Sequence, residues 1–404
     1  MNMDHLSFSC RLRAVAARCR RACVLIAWIC VSSTAQAANA LKEYNVDPGT
    51  VAVTGASAGG FMAAQLGIAY SSLFPVGFAV HAGGPYDCAR NNQWDRYCAY
   101  NEGRRPDIER AVANMRAWSG KEIDDVANMA RQRIYIAHGT HDRTVAFESG
   151  EQLYNQVLNF VPSSNVMFDV CEGGTHFIGC DDQSWWWLWL YPDLRYPADD
   201  SIYDGQLLEI DQRPFIDWNI GMGSSGFLYV PNSCANGEQC KLIVSLHAAG
   251  SSYYQVGIGV VESDKPSGWA VADENNFLIL YPQIARDPSW DWTGYYGSNY
   301  DQKEGGQLKA IAQMVRRITA GFQPASPSDC LFNWAEGNYP SLFFPPSADS
   351  KTLPPYYYRY YAATDSYVGT SSSDDKVYYL GPASNGQVLN VGALADWLSV
   401  SGCE

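Results

Sequence analysis

The sequence predicts an α/β fold built on a mostly parallel sheet, followed by a small β-rich C-terminal module. Three observations predict it. Short apolar runs alternate with helix-period segments between residues 50 and 319, the pattern of strands joined by crossover helices. A glycine-rich turn with one serine at its apex, Gly55-Ala56-Ser57-Ala58-Gly59, stands between a strand-like and a helix-like run. After Phe322 the composition turns to Pro, Ser and Tyr, with Pro345-Pro346, Pro354-Pro355 and Tyr356-Tyr357-Tyr358. That shift places a boundary at 323–328.

Taken in order, the N-terminus reads as an export signal. Arg11, Arg13, Arg18, Arg20 and Arg21 precede an apolar core at 22–31 that is too short to anchor in a bilayer, and Ala35-Gln36-Ala37 is an A-x-A cleavage site. Residues 1–37 are therefore expected to be removed. Strands are expected at 50–54 (TVAVT), 76–80, 133–137 (RIYIA) and 166–170 (VMFDV), with helices at 60–70 and 149–160. The stretch 185–219, headed by WWWLWLY, reads as loop. Strands resume at 226–230, 241–246 and 277–281, with helices at 266–275 and 305–318. The expected organisation is a signal (1–37), a catalytic domain (38–322) and a Tyr-rich module of unknown role (328–404).

Of the 404 residues, 47% are hydrophobic, enough for a large core, and only 17% are charged. The formal charge of −14 becomes −18 without the signal, which carries five arginines and Asp4. This argues against nucleic acid and anionic membrane as partners, and no later stretch is apolar enough for stable membrane insertion. Four of the twelve cysteines lie in the signal. The other eight form local couples, Cys88 with Cys98, Cys171 with Cys180 and Cys234 with Cys240, leaving Cys330 and Cys403 to bracket the module. No C-x-x-C pair is present, so disulfides in an oxidising compartment are favoured over metal binding, with the connectivity open.

The turn around Ser57 fits G-x-S-x-G, the nucleophile elbow of α/β-hydrolases. An elbow serine needs a base, and the base needs an acid to orient it. Both follow in the expected chain order, each behind a strand. RIYIA leads into Asp142, and VMFDV leads into His176, in a loop flanked by Cys171 and Cys180. His138 and His141 flank Asp142 and are expected to line or buttress the site; a His-x-x-His-Asp metal site is the weaker reading. His81 comes too early to be the base.

The elbow's position raises a difficulty, because few residues precede it once the signal is gone. The segment KLIVSLHAAG (241–250) resolves it. A strand ending in His247-Ala248-Ala249-Gly250 has the form of an oxyanion-hole loop, which ordinarily precedes the elbow. The fold is therefore expected to be a circularly permuted α/β-hydrolase, with the elbow, acid and base first and the early strands second.

With these motifs the chain resembles the secreted poly(3-hydroxybutyrate) depolymerases, within the wider polyhydroxyalkanoate depolymerases and related feruloyl and acetylxylan esterases, in their permuted branch. The motifs extend over about 46–319 and include Gly174-Thr175-His176, Trp269-Ala270, Tyr281-Pro282-Gln283, Trp290-Asp291-Trp292 and Gly305-Gly306-Gln307. The resemblance implies Ser57 as nucleophile, His176 as general base and Asp142 as its orienter. It implies oxyanion N–H donors at Ala58 and Ala249, and substrate binding by Trp290, Trp292 and His247. One departure stands out. Relatives usually carry cysteine where Ala249 and Ser289 stand here, which puts the rigidity of the oxyanion loop in question. No metal or organic cofactor is implied. The expected partner is a polyester or its oligomers, cleaved by a monomeric, secreted serine esterase. The alternatives are a feruloyl or acetylxylan esterase and a non-catalytic polymer-binding protein on the same scaffold.

Overall fold

The computed structural model describes residues 38–90, 98–99, 106–176, 185–217, 219–285, 289–323, 327–343 and 350–403. The expected signal and Cys180 lie outside them. The first half runs β1 (Asn39–Ala40), β2 (Val46–Ala56), α1 (Ala58–Ala69), β3 (Gly77–His81), α2 (Ile108–Trp118), β4 (Arg133–Gly139), α3 (Phe147–Val157), β5 (Val166–Cys171) and α4 (Trp185–Leu190). The second half runs β6 (Gln206–Asp211), β7 (Ser225–Val230), α5 (Asn232–Ala235), β8 (Cys240–Leu246), α6 (Tyr253–Val256), α7 (Gly259–Glu262), α8 (Ser267–Glu274), β9 (Phe277–Tyr281) and α9 (Gly306–Thr319). Every expected strand is present. The expected loop at 185–219 instead contains α4 and β6, and α2 was not expected.

Nine strands form one sheet in the order β1-β6-β7-β9-β8-β2-β3-β4-β5. All neighbours are parallel except β7, which runs antiparallel to β6 and β9. The elbow strand β2 sits near the middle, between β8 and β3. The four strands that come late in the chain occupy the half of the sheet on the β8 side, as the permuted reading requires. A permuted domain also needs its two ends side by side, and they are. The Tyr44 N–H donates to Ile318 O at 2.9 Å, and the Gln323 N–H donates to Asn45 Oδ1 at 2.8 Å.

Period-2 alternation divides the sheet into two faces. Val51, Val53, Phe78, Val80, Ile134 and Ile136 point to one face, packed with residues of α1, α3 and α9 in the larger core. Ala52, Ala79, Ala137, Ile243 and Ile279 point to the other, in a core shared with α4 and α8.

The C-terminal module is more helical than the sequence reading expected. α10 (Pro327–Asn338) precedes a five-stranded antiparallel sheet of β10 (Lys351–Leu353), β11 (Tyr356–Tyr361), β12 (Ser366–Ser371), β13 (Lys376–Leu380) and β14 (Leu389–Ala393), and α11 (Leu394–Ser401) closes it. α10 packs Leu331, Phe332 and Ala335 against Tyr361, Val368 and Val377 in a separate small core, and Cys330–Cys403 joins the two helical ends.

Candidate active site

β2 ends at Ala56 and α1 begins at Ala58, so Ser57 alone turns the chain. Its backbone is left-handed, with φ 56° and ψ −120°, a strained conformation for a side-chain-bearing residue. The glycines around it follow from close approach. A Cβ on Gly55 would come within 2.2 Å of Gly59 O, and one on Gly59 within 2.3 Å of Leu246 O and 2.6 Å of His247 O. The Ser57 N–H donates to His81 O at 2.8 Å, which anchors the elbow to β3.

His176 lies in the loop after β5 and Asp142 in the loop after β4. His176 Nε2 is 2.9 Å from Ser57 Oγ, and its Nδ1 is 2.7 Å from Asp142 Oδ2. Asp142 Oδ1 accepts the N–H groups of Thr144 (2.8 Å) and Val145 (3.0 Å). Oδ2 therefore remains for the imidazole, so Nδ1 carries the proton and Nε2 is free to accept the serine's. Burial pushes the Asp142 carboxyl up. Hydrogen bonds from His138, His176 and the two backbone N–H groups outweigh that and hold it well below the usual carboxylate range.

The two loops lock onto each other. The His141 N–H donates to Gly174 O (2.8 Å) and the Thr140 N–H to Cys171 O (3.1 Å), while the Gly173 N–H donates to Thr140 Oγ1 (2.8 Å). Cys171 is disulfide-bonded; its expected partner, Cys180, is outside the described residues. The expected pairs Cys88–Cys98, Cys234–Cys240 and Cys330–Cys403 are bonded. Of the histidines flanking Asp142, His138 is fully buried, with Nε2 2.9 Å from Val145 O and 3.4 Å from Asp142 Oδ2. His141 is exposed.

Ala58 opens α1, where backbone N–H groups lack helical acceptors. Ala249 lies in an exposed turn after β8. That turn is tied by Trp290, whose indole N–H donates to His247 O at 2.8 Å and whose ring lies 4.7 Å from the His247 ring. Trp292 stacks on Phe61 of α1 at 3.9 Å. Both tryptophans are buried, at 1% and 7% exposure, in the core shared with α1. The open space lies on the opposite face. A cavity of about 1100 Å³ there is lined by His176, Ala56, His81, His247 and Ala248, among others, and by neither tryptophan.

Sequence reasoning missed a buried ionic cluster beside the Trp292 loop. Arg90 forks onto both oxygens of Asp301 (2.8 and 2.7 Å) and reaches Asp87 (2.5 Å). Asn114 Nδ2 donates to Asp87 Oδ2 at 2.7 Å, and the Tyr86 hydroxyl donates to Asp301 O at 2.5 Å. These contacts join the segment after β3 to the loop before α9. Nothing in the local sequence pairs residues so far apart.

Residues 30–187 match the prolyl oligopeptidase family. A polyhydroxybutyrate depolymerase of Talaromyces funiculosus is 40% identical over 341 residues, spanning 74% of this chain and 98% of the relative. A poly(3-hydroxybutyrate) depolymerase of Delftia acidovorans is 32% identical over 329 residues, 74% of this chain and 66% of the relative. The crystal structure of the PHB depolymerase from Penicillium funiculosum superposes with a TM-score of 0.65 at 37% identity, covering 70% of this chain and all of that one. A PHB depolymerase complexed with an R3HB trimer matches to the same extent. At 40% identity over 98% of the Talaromyces relative, and with all of the Penicillium structure covered, the chain belongs to the polyhydroxybutyrate depolymerase family.

Proposed function

We propose that the chain is a secreted serine esterase that hydrolyses poly(3-hydroxybutyrate)-type polyesters or their oligomers through an acyl-enzyme on Ser57. The observation that carries this is the continuous relay from Ser57 Oγ through His176 to Asp142, at 2.9 and 2.7 Å, in a member of this family. His176 Nε2 takes the hydroxyl proton as Ser57 Oγ attacks the ester carbonyl carbon. Negative charge develops on the carbonyl oxygen, where the N–H groups of Ala58 and Ala249 stabilise it. Asp142 holds the imidazole in the productive tautomer and balances the imidazolium. The imidazolium then protonates the departing alkoxide, freeing a chain end with a hydroxyl. Water, deprotonated by His176, attacks the acyl-enzyme and releases a carboxylate end and the regenerated serine.

The relatives' names favour a polyester over feruloyl or acetyl groups, and an assembled relay favours catalysis over simple polymer binding. Three disulfides support an oxidising compartment, and cleavage near Ala37 would be read by sequencing the mature N-terminus. The test of function is hydrolysis of polyhydroxybutyrate granules against feruloyl esters by wild type and Ser57→Ala. Granule clearing lost in Ser57→Ala supports the proposal. Activity retained by the variant, or a preference for feruloyl esters, overturns it.

A further inference from the structure

His138 stands at the end of β4, next to its last residue Gly139. By strand alternation it shares a face with Ile134 and Ile136, the face packed by α1 and α3. It is fully buried. A Cβ on Gly150 of α3 would lie 2.7 Å from His138 Nδ1 and 3.1 Å from its Cβ, so glycine at that point of the helix makes room for the ring. Phe147 meets the ring edge-on, with centroids 6.1 Å apart.

The proton on this ring can be placed. His138 Nε2 is 2.9 Å from Val145 O and 3.4 Å from Asp142 Oδ2. A carbonyl oxygen only accepts, and so does an ionised carboxylate, so Nε2 carries the hydrogen and shares it between them. Nδ1 is then a bare lone pair, and it has no partner among the described residues. A buried polar atom without a partner is unfavourable. An aliphatic side chain would fill the same recess without one. What the imidazole adds is the Nε2–H, aimed at the carboxylate of the relay and at the loop that carries it. Asp142 Oδ2 thus faces two imidazoles, His176 Nδ1 at 2.7 Å and His138 Nε2 on the longer arm.

We propose that His138 is a positioning residue of the relay, whose Nε2–H holds the Asp142 carboxylate in place and draws off part of its charge, limiting how basic His176 becomes. The proposal rests on the reading of Ser57, His176 and Asp142 as the relay, and adds a second histidine that acts through the carboxylate without meeting the substrate. Less charge on Oδ2 keeps the shared proton on His176 Nδ1, as the productive tautomer requires. The arm to Val145 O fixes the loop whose N–H groups hold Oδ1. Burial raises the Asp142 carboxyl, and the His138 donor is among the hydrogen bonds that outweigh it. The other titratable groups near the relay are less well placed. His141, Arg143 and Glu172 are exposed and Glu148 of α3 is half-buried. His81 and His247 line the cavity with His176, and burial lowers each to about 4, so both are uncharged where His176 titrates.

The acid limb of kcat/KM for p-nitrophenyl butyrate reports the base of the free enzyme. His138→Leu removes the donor and keeps the bulk, and His138→Gln returns an N–H near the position of Nε2. Thermal unfolding establishes that each variant folds. The limb is expected to rise by about half a pH unit or more in His138→Leu and to stay near the wild-type position in His138→Gln. A role in packing alone would lower activity or stability and leave the limb in place. An unmoved limb in folded His138→Leu, or an equal shift in both variants, overturns the proposal. Wild-type enzyme supplies a second measurement that needs no variant. Nitrogen-15 spectra of the histidines at about pH 8, above the ordinary histidine range, are expected to place the His138 proton on Nε2; a proton on Nδ1 instead overturns the proposal. Failure of the underlying reading looks different: Ser57→Ala would keep its activity, the acid limb would belong to a group other than His176, and the role of His138 would fall with it.

Discussion

Replacing Trp290 with Phe tests how the oxyanion loop is held. The substitution keeps an aromatic ring against His247 and removes the indole N–H that donates to His247 O at 2.8 Å. The residue is 1% exposed, so water does not readily replace the donor. A net hydrogen bond is worth about 1 kcal/mol, and a buried acceptor left unpaired costs about 1–3 kcal/mol. If about 1–2 kcal/mol of that is expressed as a displaced Ala249 N–H, kcat falls roughly 5- to 30-fold at about 1.4 kcal/mol per decade. That is less than the roughly 100- to 1000-fold lost when an oxyanion donor is removed outright, as expected for a loop that is loosened and still present. Steady-state hydrolysis of p-nitrophenyl butyrate reads the effect. Trp397→Phe serves as control, because its indole also bonds a backbone carbonyl, Val391 O at 3.0 Å, in the C-terminal module. The predicted result is lower kcat with KM held in Trp290→Phe, and unchanged kinetics in Trp397→Phe. A rise in KM at constant kcat would refute the reasoning, and would support the substrate-binding role for Trp290 that the family resemblance implies.

Asp142→Asn keeps the volume but cannot hold the productive His176 tautomer; kcat is expected to fall about 10⁴-fold, measured by the same assay, and a loss under tenfold would contradict the relay. Arg90→Ala removes the cation shared by the buried Asp87 and Asp301, which is expected to destabilise the fold by about 3–5 kcal/mol in urea unfolding at pH 8; a change below about 1 kcal/mol would mean that Asp301, which burial and Asp87 already raise to about 8, takes up a proton in its place. His81 is half-buried at the end of β3, and burial, partly opposed by Asp169, lowers its pKa from 6.5 to about 4. Below 6.5 the unfolded chain takes up a proton that the folded one refuses, so this contribution to stability is complete above pH 6.5 and is lost as the pH falls towards 4, by roughly 3 kcal/mol in all. Unfolding of wild type and His81→Asn between pH 7 and 4 should diverge in slope over that window, and parallel slopes would exclude His81 as the source.

The relay was legible in the sequence because each of its members sits at a place that local pattern marks. Ser57 is framed by glycines that only a tight strand–helix turn requires, and Asp142 and His176 each follow an apolar run that can only be a strand. The permutation was legible from KLIVSLHAAG standing behind an elbow that should have followed it. Other features depend on neighbours distant in sequence. β6, read as loop, is QLLEID, whose partners Asn39–Ala40 and Ser225–Val230 lie far away in the chain. α2 has Ala111, Val112 and Met115 on its buried side, a short stripe easily overlooked between strands. The tryptophans were assigned to substrate by resemblance, yet where an indole N–H points is settled by tertiary packing, and Trp290 points at His247 O.

The central claim is that Ser57 carries the acyl group of a hydroxyalkanoate ester. Rapid acid quench of enzyme turning over a 3-hydroxybutyrate oligomer, followed by peptide mass spectrometry, tests it directly. The account predicts a peptide containing Ser57 heavier by one or more hydroxybutyryl units, absent from Ser57→Ala. Oligomer turnover with that peptide unmodified, or with the acyl group on another residue, would contradict it.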